Sequence, residues 1–240
     1  MFTSAAQLDP TSLHPSLWRA SQLARADTLC VDTGHAPLSR MLPGGGWPVG
    51  TLIDLLVQQA GIGEIRLLGP ALAKVASRGV FIVTPPQTPQ TLAWCKLGLN
   101  PSEIIWIRSE RTADALWSVE HLLRSGCCGA VIFWQNHIRS DSLRRLHLAA
   151  QSGETLFVMV RPLASAIDAS PAPLRLSLRP AQGGLDIGFV KRRGPQHEGT
   201  LYLPMPVIHE QRSVSHRGIE REWKKPRYAP SAQGREIESV

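Results

Sequence analysis

Between residues 51 and 160, short apolar runs alternate with stretches of helical periodicity. TLIDLLV predicts a strand over residues 51–57, and the spacing after it predicts a helix over 63–77. A strand over 80–84 leads through PPQTP to a helix over 90–97. Further strand–helix pairs follow at 104–107 with 112–125 and at 129–134 with 140–151, and a strand over 156–160 closes the series. Each apolar run is short, continuous and bounded by Gly or Pro, the pattern of strands buried on both faces. Such alternation predicts an α/β fold with a mostly parallel sheet and helices on both faces.

The rhythm changes at Pro162. LASAIDASPAP is a small-residue, Pro-containing loop. Residues 174–178, 185–191 and 200–203 then read as antiparallel strands at the C-terminal edge, the first two joined by a turn at 181–184. Upstream, Leu17, Trp18, Leu23 and Ala24 have helical spacing within SLWRASQLARAD, which predicts a short docking helix over 16–27. Beyond Pro206 apolar content falls, Trp223 and Tyr228 aside, and a flexible tail is expected. The expected organisation is an N-terminal segment over 1–30, a domain over 31–206 and a basic tail over 207–240.

Composition narrows the classes. A hydrophobic content of 43% in 240 residues suits one sizeable domain. No apolar run approaches the ~20 residues of a membrane span, and MFTSAAQLDPTSLHP lacks the basic-then-apolar order of a signal peptide. The four cysteines form no CxxC pair and no ligand spacing with histidine. Cys127-Cys128 adjoins an apolar strand and reads as core. These features predict a cytoplasmic protein with reduced thiols. The eight histidines show no HxxxH or HExxH arrangement, and no serine sits in a GxSxG elbow. Neither a metal nor a catalytic residue is expected.

The formal net charge is +7, and residues 191–240 hold ten Lys/Arg against six Glu, more than half of that excess. A basic balance fits nucleic acid or an acidic partner. Arg144 and Arg145 share a predicted helix with Arg139 and His147, and Lys191, Arg192 and Arg193 end a strand. Both clusters are candidate contacts for phosphates or an acidic surface; solvated faces flanking a core are the competing reading. Trp47, Trp94, Trp106, Trp117 and Trp134 lie in or beside predicted elements and read as core or interface. Trp18 in the N-terminal helix, and Trp223 with Lys224 and Lys225 in EREWKKPRY, are candidate partner contacts.

The loop after the first strand reads QQAGIGEI. A working phosphate loop, G-x-x-x-x-G-K-[ST], cradles phosphate in backbone amides, neutralises charge with Lys and holds Mg²⁺ through its hydroxyl. With Gly61 inside the loop and Gly63 as its last glycine, Glu64 stands at the Lys position and Ile65 at the hydroxyl position. The first glycine of the pattern falls on Gln58. A carboxylate suits a helix N-terminus by roughly 0.3–1 kcal/mol. Against a phosphate about 4 Å away it repels by on the order of 4 kcal/mol at an effective dielectric near 20. Ile65 offers Mg²⁺ no oxygen. Glu64 is expected to cap the helix, and Pro70 to kink or restart it. On these residues alone an ordinary strand–helix turn fits equally well; no cofactor is expected on either reading.

The flanking sequence tips that balance. DTGHAPLSRMLPGGGWPVG resembles the approach to the first strand of RecA. HPSLWRASQLARA, LPGGGWPVGTLIDLL, GIGEIRLLGPALA, ADALWSVEHLLRSG, LRRLHLAAQ, LFVMVRPLASA, SPAPLRLSL and FVKRRGP, in that order, resemble the ImuA family, which is RecA-like and tied to translesion DNA synthesis. The alternating region also resembles the shorter SulA cell-division inhibitors. The resemblance implies a RecA-like sheet in which two acidic slots are lost. The catalytic Glu after RecA's second strand falls near Pro85, and its Walker B aspartate near Trp134. It further implies a non-catalytic accessory protein of a damage-induced mutasome, nucleoid-associated when in complex. Its partners would be an ImuB-like protein, a DnaE-type error-prone polymerase and RecA. Direct DNA binding would be weak, salt-dependent and non-specific. The alternative is a SulA-type inhibitor binding FtsZ. The basic C-terminal extension and GGGWP lie outside the SulA-like segment and favour the first reading.

Overall fold

The structure, a computed structural model, describes residues 29–193 and 199–205. The predicted helix over 16–27 with Trp18, and the tail with Trp223, Lys224 and Lys225, lie outside the described residues.

Two three-residue strands, β1 (Cys30–Asp32) and β2 (Gly46–Pro48), pair antiparallel around helix α1 (Ala36–Met41) and a 3-10 turn at Pro43–Gly45. The alternating region follows as β3 (Thr51–Val57), α2 (Glu64–Val75), β4 (Val80–Val83), α3 (Thr91–Lys96), β5 (Ile104–Ile107), α4 (Thr112–Ser125), β6 (Ala130–Trp134), α5 (Ser140–Ala150) and β7 (Leu156–Pro162). β8 (Leu174–Ala181), β9 (Gly184–Lys191) and β10 (Thr200–Pro204) complete one eight-stranded sheet, ordered β10-β9-β8-β3-β7-β6-β4-β5. The protein is α/β, with helices on both faces of a mostly parallel sheet and antiparallel strands at one edge.

Strand alternation sorts β3 between two cores. Ile53, Leu55 and Val57 pack with Leu67, Leu68, Ala71 and Leu72 of α2 on one face. Leu52 packs on the other with Val119 and Leu123 of α4 and Leu143 and Leu146 of α5. All seven residues of β3 are buried, so the strand that carries the loop has helix-covered neighbours on both sides.

Three expectations are corrected, at Pro70, at β5 and at Cys127. The strands expected from residue 174 do pair antiparallel, β8 with β9 and β9 with β10, and β8 also pairs parallel with β3. The 3-10 turn at Leu163–Ile167 lies between β7 and β8, and β8 enters beside β3 in the same direction. Pro70 does not restart α2, which runs through it as one helix. Burial of Leu67, Leu68, Ala71 and Leu72 outweighs one missing backbone bond. β5 is not buried on both faces: at the sheet edge Ile105 and Trp106 are exposed, as is Trp117 on α4, while Trp47 and Trp94 are core. Of the adjacent cysteines only Cys128 is buried, and Cys127 is exposed.

Candidate functional site: a loop filled by its own carboxylate

β3 ends at Val57 and α2 starts at Glu64. The loop between them turns through Gly61 (φ 85°) and Gly63 (φ 125°), left-handed values that favour glycine. This backbone aims two N–H groups inward, and the Glu64 side chain folds back onto both. Gly61 N donates to Glu64 Oε1 at 2.9 Å and Gly63 N to Oε2 at 3.2 Å. Glu64 is only 3% exposed. The carboxylate therefore occupies the loop's inward-facing amides, and these hydrogen bonds are charge-assisted. The expected helix cap is not what forms: Glu64 ties down the loop before its helix and bonds no amide of the first turn. Ile65 is half-buried against the core and presents only carbon.

A cleft of about 570 Å³ opens at the carboxyl ends of β3, β4, β6 and β7, lined by Gln58, Thr84, Arg111, Trp134, Asn136 and Arg161 among others. Thr84, just before Pro85, has φ 46°, the single non-glycine residue with positive φ among those described. Its hydroxyl donates to the Trp134 carbonyl at 2.7 Å and its N–H to Ile107 O at 3.1 Å. The strained residue thus ties together the ends of β4, β5 and β6. The slots at Pro85 and Trp134 hold no carboxylate. Glu110, after β5, is the one acidic residue lining the cleft among those described.

Sequence reading missed a charged cluster beneath this cleft. Asp54 lies in the middle of β3, fully buried, and its Oδ2 accepts from Arg175 Nε of β8 at 3.0 Å and Arg161 Nη1 of β7 at 3.3 Å. Arg161 also reaches Asp168 at 2.8 Å. Arg175 donates to the carbonyls of Ser165, Ala166 and Asp168, and so fixes the Leu163–Ile167 turn. One aspartate within an otherwise apolar strand was the available signal, since a buried charge requires partners.

The two basic clusters meet only through His147, and their members are differently engaged. Arg145 bonds Glu120 (Nε to Oε2 3.1 Å), and Arg124 bonds the same carboxylate at 3.0 Å. Arg144 is exposed. Lys191 donates to Ser170 O at 3.2 Å. Arg192 donates to Met41 O and lies over the Phe189 ring at 5.4 Å. Arg193 and His147 share a cavity of about 400 Å³ at the opposite, amino end of β3 and β8. Burial first, then Lys191 and Arg193, hold His147 below the usual histidine pKa. Its Nδ1 accepts from Leu52 N at 3.4 Å. Among the described residues no group of three His, Cys, Asp or Glu could hold a metal ion, and no helix is long and apolar enough to cross a membrane.

Fold and site together define an α/β protein built on a strand–loop–helix frame whose loop amides are occupied by an internal carboxylate. No protein-family model matches the chain, and no curated protein sequence does. Among solved structures, the crystal structure of SulA from Pseudomonas aeruginosa is similar at 22% identity and a TM-score of 0.38, over 45% of this chain and 97% of that one. A likeness at that level bears on neither family nor function.

Proposed function

We propose that this chain is a non-catalytic, RecA-like accessory protein of a damage-induced translesion synthesis complex, acting through contacts with an ImuB-like protein, a DnaE-type error-prone polymerase and RecA. The observation that carries the non-catalytic half of this reading is the Glu64 carboxylate buried on the Gly61 and Gly63 amides. An incoming phosphate would have to displace a charge-assisted pair and meet a carboxylate where a cation normally waits. Ile65 supplies no Mg²⁺ ligand, and the slots at Pro85 and Trp134 supply no base. The choice of partners rests on the sequence resemblance.

Two experiments test the two halves. Calorimetric titration with Mg-ATP should give only heat of dilution; a micromolar isotherm would overturn the non-catalytic assignment. Co-purification of the full chain from damaged cells should recover ImuB-like and DnaE-type proteins, and a chain ending at Pro206 should lose the former. Undiminished recovery would remove the tail around Trp223, Lys224 and Lys225 from the interface. Filamentation on overexpression without damage would instead favour an FtsZ-directed inhibitor.

A further inference from the structure

We propose that the outer face of α4 and α5 binds single-stranded nucleic acid, with Trp117 as the platform on which a base stacks. Trp117 is 65% exposed, an unusual position for an indole that packs into neither core. It is held flat. His121, one helical turn on, stacks against it with ring centroids 5.3 Å apart and planes within 8°. The result is a rigid aromatic surface rather than a mobile side chain, so little rotamer entropy is lost when a ring is laid on it.

The surroundings are cationic. A groove of about 280 Å³ beside the indole is lined by Ala113, Leu116, Arg139, Ser142, Arg145 and Leu146. Glu120, with its side chain 14% exposed, lies beneath Arg124 and Arg145, which are 63% and 62% exposed. The carboxylate is sunk and both guanidinium groups face outward, pre-oriented by their shared partner. Arg139, at the N-cap of α5, and Arg144 on that helix are exposed. The opposing carboxylates are Asp114, 4.0 Å from Arg111, and Asp141 in the first turn of α5. With Glu110 counted beside Arg111, the five arginines Arg111, Arg124, Arg139, Arg144 and Arg145 exceed the carboxylates of Glu110, Asp114, Glu120 and Asp141 by one.

A flat ring edged by guanidinium groups is complementary to a base on a phosphate backbone. The groove beside the indole combines the apolar side chains of Ala113, Leu116 and Leu146, which suit the face of a base, with the guanidinium groups of Arg139 and Arg145, which suit phosphate. Trp beside Arg is also the composition of a protein hot spot, and an oligonucleotide titration decides between the two. The bases of a duplex are already stacked on one another, so the single-stranded form is the one that fits. Binding by stacking and phosphate contact would be tolerant of sequence and sensitive to salt. The proposal is independent of the adaptor reading, because failure to recover a polymerase leaves an oligonucleotide titration unaffected.

The test is fluorescence anisotropy of a labelled oligothymidylate, about 20 nucleotides long to span at least one such site, titrated with the full chain at low salt. Wild-type protein should bind, and Trp117→Ala should weaken binding by about tenfold or more. Trp117→Phe, which keeps an aromatic face, should retain most of the affinity and shows that the loss is not one of folding. Replacing Arg139 and Arg144 together by Ala should make the salt slope shallower by about 1.4, the value for two single-strand phosphate contacts. A wild-type chain that binds no oligonucleotide overturns the proposal and leaves the face to a protein partner. Equal affinity after Trp117→Ala also overturns it.

Discussion

The Glu64 carboxylate takes the backbone N–H of Gly61 at 2.9 Å, and with it the place a bound phosphate would occupy in a loop of this kind. The same side chain reaches Gly63, so a single residue satisfies two donors that the turn would otherwise leave unpaired next to a buried helix start.

Glu64→Ala should therefore destabilise the protein by about 2–3 kcal/mol, the scale of hydrogen bonds to a charged group that end in unsatisfied donors. Urea denaturation reads this directly, and a change near zero would show that the loop does not depend on its carboxylate. Glu64→Lys should not restore nucleotide binding, because Ile65 still offers no oxygen to Mg²⁺; titration with Mg-ATP checks it.

Asp54→Asn removes the one charge shared by Arg161 and Arg175 in the sheet interior. Arg161 keeps Asp168, but Arg175 is left buried with backbone carbonyls alone, and a buried charge without its counter-charge costs about 3 kcal/mol or more. Thermal and chemical denaturation should both register the loss. Replacing Asp54, Arg161 and Arg175 together with apolar residues of similar volume should recover much of it.

Gly34→Ala is expected to cost more than a surface substitution, about 1–3 kcal/mol. Gly34 has φ 75°, and a Cβ there would lie 2.2 Å from Pro70 Cβ on α2. A double-mutant cycle with Pro70→Gly separates the two causes. Coupling between the sites measures the contact, and what remains is the backbone term.

Burial, then the charges of Lys191 and Arg193, depress the His147 pKa below 6.5, so the unfolded chain binds its proton more readily than the folded one. The stabilising contribution is fully present above pH 6.5 and is lost as pH falls from there through the folded-state pKa. Protonation also removes the Nδ1 acceptor used by Leu52 N. Stability measured from pH 7.5 downward (a span of about two units suffices) should decline less steeply in His147→Gln. His35, also depressed by burial, leaves part of the slope behind.

Much of the fold was legible because the signals are local. Residues 51–57, 104–107 and 112–125 form their elements with the boundaries expected from the apolar runs and the Gly/Pro punctuation. The β1–β2 ribbon was not expected, since three-residue strands carry no periodicity and one of them begins at Gly46 within a glycine run. The antiparallel β8–β9 pair is legible from its turn, but the parallel pairing of β8 with β3 is not, because which neighbour a strand joins on its other side is not encoded in its own residues. Of the candidate site residues, Gly61, Gly63 and Glu64 are joined by the hydrogen bonds of the Glu64 carboxylate, which no sequence pattern encodes. The pairing of Arg145 with Glu120 and of Arg192 with Met41 came from helix and loop packing.

By itself the sequence determined that a buried strand, a glycine-containing loop and a helix follow one another, with Glu64 and Ile65 directly after the last loop glycine, because these are local properties. Only the tertiary structure decided what Glu64 does there. Its carboxylate turns back because two left-handed glycines point their amides at it and the packed helix start excludes water. The Asp54 cluster needed the whole sheet: its arginines lie 107 and 121 positions away, and only the order β8-β3-β7 brings both to one carboxylate.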